Sequence, residues 1–203
     1  MDIDRILTSK GMLEWVQQKH RNRRSLEGYK KTFQNNPPFS HLELHDFLNE
    51  EKAKELLAAL QKEPLYEKEA DLFKFMQSND FKTTKIPLLQ SFREFLSSEA
   101  FVQWIEYITN AKLKTKEIDM AASLYQNTDY LLPHDDRLEK RKIAYIYYLS
   151  GFKENEGGKL LLYSAKNKKP LEPEKAIVPR FNALVFFKVS EKSFHQVSEV
   201  LSD

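Results

Sequence analysis

Apolar positions recur at helical spacing through the first half of this chain and gather into short runs through the second. Ile3, Ile6, Leu7, Leu13 and Val16 predict an appended helical segment over residues 3–19, interrupted by Gly11. The run Asn35, Asn36, Pro37, Pro38 cannot continue a helix, because proline lacks an amide donor and restricts the residue before it. A boundary is placed there, with 1–38 as an N-terminal helical and basic segment and 39–203 as the main domain. Next, Asn49 suits an N-cap, Glu50 and Glu51 suit the positive end of a helix, and Ala53, Leu56, Leu57 and Leu60 make one apolar face. Residues 88–110 repeat the pattern, first through Leu88, Leu89, Phe92, Phe95 and Leu96, then through Phe101, Trp104, Ile105 and Ile108. A helical layer over about 49–110 follows.

From about residue 117 the runs are rich in Tyr, Ile, Val, Leu and Phe. They are closed by turn residues such as Asn127, Pro133, Gly151, Gly157, Gly158, Pro170, Pro173, Pro179 and Asn182. The runs 142–149, 159–163, 183–189 and 194–200 are apolar on both faces, as strands are when they lie between a sheet partner and a helix layer. The expected fold is mainly β with flanking helices, a β-sandwich with core strands over about 117–203.

Composition narrows the chemistry. The chain has 203 residues, 41% hydrophobic and 31% charged, the profile of a globular domain. No stretch approaches the roughly 18 apolar residues of a membrane span, and Asp2 and Asp4 with no apolar run behind them do not suggest a signal peptide. A cytoplasmic location, or a nuclear one, is expected, with no membrane partner. With no cysteine, a bound metal must be held by His, Asp or Glu. A formal charge of +2 is too small to argue for nucleic-acid binding, so the basic clusters His20–Arg24 and Lys166–Lys169 read as solvated surface charge. Oligomeric state is not encoded in these features.

His134 and Asp136 stand two apart, so on an extended strand their side chains leave one face while Asp135 points away. Among five histidines and ten aspartates such a pair arises by chance about one time in four, and His134 alone reads as a polar strand-edge residue. Context comes from His195, 59 residues after Asp136, at the head of an apolar strand. Two imidazoles and one carboxylate on one side of an iron ion leave adjacent positions open for a co-substrate and dioxygen. Considered singly, His195 also fits a core histidine between Phe194 and Val197. His41, Glu43 and His45 share a strand face too, but Leu42 and Leu44 between them make the simpler reading an amphipathic strand with a solvated side and no metal.

Four stretches in order, 123–136 (SLYQNTDYLLPHDD), 141–149 (RKIAYIYYL), 157–163 (GGKLLLY) and 181–197 (FNALVFFKVSEKSFHQV), resemble the prolyl-hydroxylase branch of the 2-oxoglutarate and iron(II)-dependent oxygenases. Within that branch the chain is most similar to the ribosomal prolyl hydroxylases, over about residues 40–203. The resemblance implies a double-stranded β-helix (jelly roll), with His134, Asp136 and His195 as iron(II) ligands and as the catalytic group. It implies that Tyr148 hydrogen-bonds the distal carboxylate of 2-oxoglutarate and that Tyr125 lies near its chelating end. It further implies dioxygen as co-substrate, ascorbate as reductant, and a prolyl residue of a small-subunit ribosomal protein as target. An oxygenase with another substrate and a non-catalytic metal-binding jelly roll are the alternatives. In the family an arginine on the last core strand, beyond the distal histidine, holds the 2-oxoglutarate carboxylate; here Asp203 follows His195 by eight residues and that arginine has no counterpart. The expectation is that the chain is a fragment, the catalytic domain alone, or that Arg180, Lys188 or another cation takes the arginine's place.

Overall fold

A computed structural model describes residues 2–137 and 141–202. The N-terminal apolar pattern folds as short pieces. α1 (Ile3–Leu7) is capped by Asp2, whose carboxylate accepts from the Arg5 amide, α2 (Lys10–Trp15) begins after Ser9, and a 3-10 turn spans Gln18–His20. The break thus falls at Thr8 and Ser9. Gly11 lies inside α2, where a Cβ would stand 3.3 Å from the Phe95 ring. The basic run is not wholly solvated: His20 is buried, and Arg23 opens α3 (Arg23–Asn35), capped by the Asn22 side chain and burying Leu26 and Phe33.

The chain continues through β1 (His41–His45), α4 (Glu50–Leu60), the hairpin β2 (Tyr66–Ala70) and β3 (Phe73–Gln77), α5 (Pro87–Leu96) and α6 (Glu99–Thr109). The strands β4 (Ser123–Leu124), β5 (Tyr130–His134), β6 (Ile143–Tyr148), β7 (Leu160–Lys166), β8 (Lys169–Ile177), β9 (Ala183–Lys188) and β10 (His195–Val197) complete it. Asn49 does precede α4, yet its side chain makes no cap bond. It donates instead to the Glu14 carbonyl at 2.6 Å, tying α4 to the end of α2. β8 was not expected, because Pro170 and Pro173 were read as turn residues. Among the described residues it forms an edge strand paired only to β7, with register shifts, and an edge is where proline is tolerated.

Two sheets result, β1-β9-β6 and β2-β3-β5-β10-β7-β8, with β4 paired to β3. The strands of the smaller sheet alternate strictly. Leu42, Phe186 and Tyr145 are in register, as are Leu44, Leu184 and Tyr147, and these side chains face the helices. There they meet Trp104, Phe33 and Phe101 in one core to which Ile3, Ile6, Met12, Trp15 and Leu26 also belong. The intervening residues Phe187 with Ala144, Val185 with Ile146, and Ala183 with Tyr148 face the larger sheet. They pack on Leu160, Leu162 and Ile177 to line the interior between the sheets. β9 is therefore covered on both sides, which is why it reads as an unbroken apolar run. No helix among the described residues is long and apolar enough to cross a membrane.

Candidate metal centre

β10 lies between β5 and β7, and antiparallel pairing sets His195 directly opposite His134 on one side and Leu162 on the other. The two imidazole rings stand 4.1 Å apart. Each ring is oriented in the same way: His134 Nδ1 lies 2.9 Å from the Leu132 carbonyl, and His195 Nδ1 lies 2.9 Å from the Ser193 carbonyl. A carbonyl only accepts, so both Nδ1 atoms donate and both Nε2 lone pairs are left for a ligand, as in metal-binding histidines held by their outer nitrogen.

Asp136 closes the group by a route that strand periodicity did not foresee. β5 ends at His134, and Asp136 lies beyond it with φ at 61°, a left-handed conformation uncommon for a residue with a Cβ. In that conformation Oδ1 is 3.5 Å from His134 Nε2 and Oδ2 is 3.7 Å from His195 Nε2. One ligand atom from each of the three residues lies within 4.8 Å of the others. Asp135 turns away, as expected, and pairs with Arg137 at 2.7 Å. The Ser193 hydroxyl, fully buried, approaches the Asp135 carbonyl at 3.3 Å and the Ser190 carbonyl at 2.8 Å. Ser193 thus joins the turn that carries His195 to the loop that carries Asp136, a role its place two residues before His195 did not advertise.

His195 is buried against the Phe187 ring, 4.6 Å away. Burial first, and the adjoining His134 second, push its pKa well below the ordinary histidine range, so the ring is neutral and its Nε2 lone pair available. The core-histidine reading is half right. Two imidazoles and a carboxylate brought together in this way are a donor set that suits a divalent first-row metal such as iron(II).

Tyr148 points into the same interior, in register with Ala183 and packed with the lumen cluster. Burial raises its phenol far above the usual range, with the charge of Glu43 and the neighbouring Tyr125 adding to the rise. Tyr125 stacks on Phe75 at 5.0 Å and is raised likewise, chiefly by burial. Both tyrosines therefore stay protonated donors near one another. The face of β1 expected to be solvated is a lumen face: His41 stands opposite Phe187 and is buried, Glu43 stands opposite Val185, and only His45 is exposed. Lys188 shares the helix-side face of β9 and Arg180 is exposed in the turn before it, so neither joins the lumen row formed by Val185 and Phe187. A cation that does reach the site is Arg141, with Nη1 3.5 Å from Asp136 Oδ1.

The 2OG-Fe(II) oxygenase superfamily model matches residues 120–203, the stretch that holds all three candidate ligands. Prolyl 3-hydroxylase OGFOD1 of Xenopus laevis is 44% identical over 172 residues, covering 82% of this chain and 33% of that protein. The chain spans about a third of the length of the curated relatives it matches. Among solved structures, a 2OG-Fe(II) oxygenase family oxidoreductase from Burkholderia pseudomallei superposes with a TM-score of 0.68 at 10% identity, covering 90% of this chain and 88% of that one. A Pseudomonas putida prolyl-4-hydroxylase gives 0.61 at 17% identity, covering 85% and 91%. The shared fold is the jelly roll, and it is over residues 120–203 that this chain matches the 2OG-Fe(II) oxygenase superfamily.

Proposed function

We propose that this chain is the catalytic jelly roll of an iron(II) and 2-oxoglutarate-dependent dioxygenase that hydroxylates a prolyl residue in a protein, with a small-subunit ribosomal protein as the target. The observation that carries the reading is the common orientation of His134 and His195, each tied through Nδ1 to a backbone carbonyl so that both Nε2 atoms face Asp136. The likeness to proteins named prolyl 3-hydroxylases supports the substrate class.

Bound between these three residues, iron(II) supplies the redox chemistry by which dioxygen and 2-oxoglutarate become succinate and carbon dioxide while one oxygen atom enters a substrate C–H bond. The protein's part is to bind and orient. His134, Asp136 and His195 would hold the metal, and Tyr148 would donate a hydrogen bond to the distal carboxylate of 2-oxoglutarate. Tyr125, stacked on Phe75, would border the chelating end, and Phe187 packs against the His195 ring. Ascorbate serves as reductant, and the setting is cytoplasmic or nuclear.

The test is anaerobic titration of 2-oxoglutarate into the iron(II)-loaded chain, followed by single-turnover succinate measurement. A metal-to-ligand charge-transfer band and succinate that vanish in His134→Ala support the reading, and succinate production unchanged in that variant overturns it. Mass spectrometry of small-subunit ribosomal proteins from cells with and without the gene tests the target, which fails if no proline loses an oxygen atom's mass.

A further inference from the structure

Each imidazole of the site has a backbone carbonyl behind it, whereas Asp136 sits past the end of its strand in a left-handed conformation that its surroundings must hold. What stands beside its carboxylate is Arg141, Nη1 to Oδ1 at 3.5 Å, with the aspartate side chain mostly buried and the arginine about one-third exposed. The adjacent Asp135 has its own arginine, Arg137, so each carboxylate of the pair is claimed by a different cation and the two are kept pointing apart. Arg141 lies two residues before β6, the strand that ends at Tyr148.

We propose that Arg141 is a positioning residue for Asp136: by drawing Oδ1 it keeps the carboxylate turned toward the two Nε2 atoms, so that the metal meets a preformed three-residue site. The proposal rests on the reading of the triad as metal ligands. It also has a sign that separates it from a simple field effect. A cation near a divalent metal repels it, so if Arg141 acted only through its charge, removing it would tighten metal binding. If it orients the carboxylate, removing it weakens binding, and the loss of such supporting contacts is typically about 10- to 100-fold.

The experiment uses Co(II) as the probe, without oxygen or co-substrate, and compares the wild-type chain with Arg141→Gln and Arg141→Lys by calorimetric affinity and by the visible ligand-field bands of the bound ion. The expected result is a loss of about tenfold in affinity for Arg141→Gln with altered bands. Arg141→Lys, which keeps the charge, is expected to recover part of both, while thermal melting of the metal-free forms stays the same. Unchanged or tighter Co(II) binding in Arg141→Gln with wild-type bands overturns the proposal, as does Arg141→Lys behaving no better than Arg141→Gln. Melting of Arg141→Gln well below wild type, with no recovery of the bands in Arg141→Lys, assigns the residue to folding and overturns it too. A wild-type chain that takes up no Co(II) removes the underlying metal reading, an outcome distinct from any difference between variants.

Discussion

His195 Nδ1 donates to the carbonyl of Ser193, and the hydroxyl of that same serine reaches back to the carbonyl of Asp135. Through this one residue the late strand β10 and the loop after β5 are held in a fixed relation, although 58 positions separate Ser193 from Asp135. Ser193→Ala removes a buried hydroxyl and leaves the carbonyls of Ser190 and Asp135 short of a donor. A loss of about 1–3 kcal/mol in chemical denaturation is expected, accompanied by weaker metal binding, because the two halves of the site lose their common anchor.

Metal binding itself should stabilise the fold. At a free metal concentration 100 times the dissociation constant, the folded state gains about 2.7 kcal/mol, which for a domain of this size raises the melting temperature by roughly 5–10 °C. Zn(II) or Co(II) should produce that rise in the wild-type chain, a chelator should reverse it, and His134→Ala or His195→Ala should show none. An equal rise in both variants would place the ion elsewhere.

Tyr148→Phe keeps the ring packed in the lumen and deletes the hydroxyl. A hydrogen bond to a charged group contributes about 1.5–3 kcal/mol, so 2-oxoglutarate should bind about 10- to 100-fold more weakly, with metal affinity and melting temperature unaltered. Titration of the charge-transfer band measures the first and calorimetry the second.

Asn182 connects three elements. Its Oδ1 accepts from the Leu48 amide at 2.8 Å and from the Tyr147 hydroxyl at 2.7 Å, and its Nδ2 donates to the Leu48 carbonyl at 2.9 Å. Its φ of 61° is one that asparagine tolerates better than most residues. Asn182→Ala leaves all three partners unsatisfied inside the core, so a loss of about 3 kcal/mol is expected by urea denaturation.

The fold should weaken in mild acid. His20 is held below its ordinary pKa of 6.5 by burial, with Nε2 donating to the carbonyls of His45 and Asp46 and Nδ1 accepting a hydrogen bond from the Tyr29 hydroxyl. His41 is lowered for the same first reason. Each depressed group binds fewer protons in the folded chain than in the unfolded one, so stability is full above pH 6.5 and declines as pH falls toward the lowered folded values. Denaturation of the metal-free chain at steps from pH 7.5 to pH 5 should show this, with a shallower slope in His20→Gln.

Residue spacing alone determined a good deal. The helical period placed α4, α5 and α6, since an amphipathic helix must repeat near 3.6 residues to bury one side. The apolar runs placed β6, β7 and β9, because strands covered on both faces have no polar register to keep. The grouping of His134, Asp136 and His195 as a candidate metal site was also legible, since without cysteine a metal can be held only by His, Asp or Glu and the surrounding stretches resemble a known family.

Tertiary structure decided the rest. The period-two pattern of His41, Glu43 and His45 says that they share a face; whether that face meets water or a second sheet depends on how β1 joins β9, a pairing between positions more than 130 residues apart. The turn of Asp136 into the site uses a left-handed backbone beside the Asp135 carbonyl that Ser193 contacts, with Arg141 at the carboxylate, an arrangement no local propensity encodes. β8 depends on edge position, where the prolines that would break a central strand do no harm. For β1 and for the loop that carries Asp136 the deciding partners, β9 and Ser193, are distant along the chain, and only the closed fold brings them within reach.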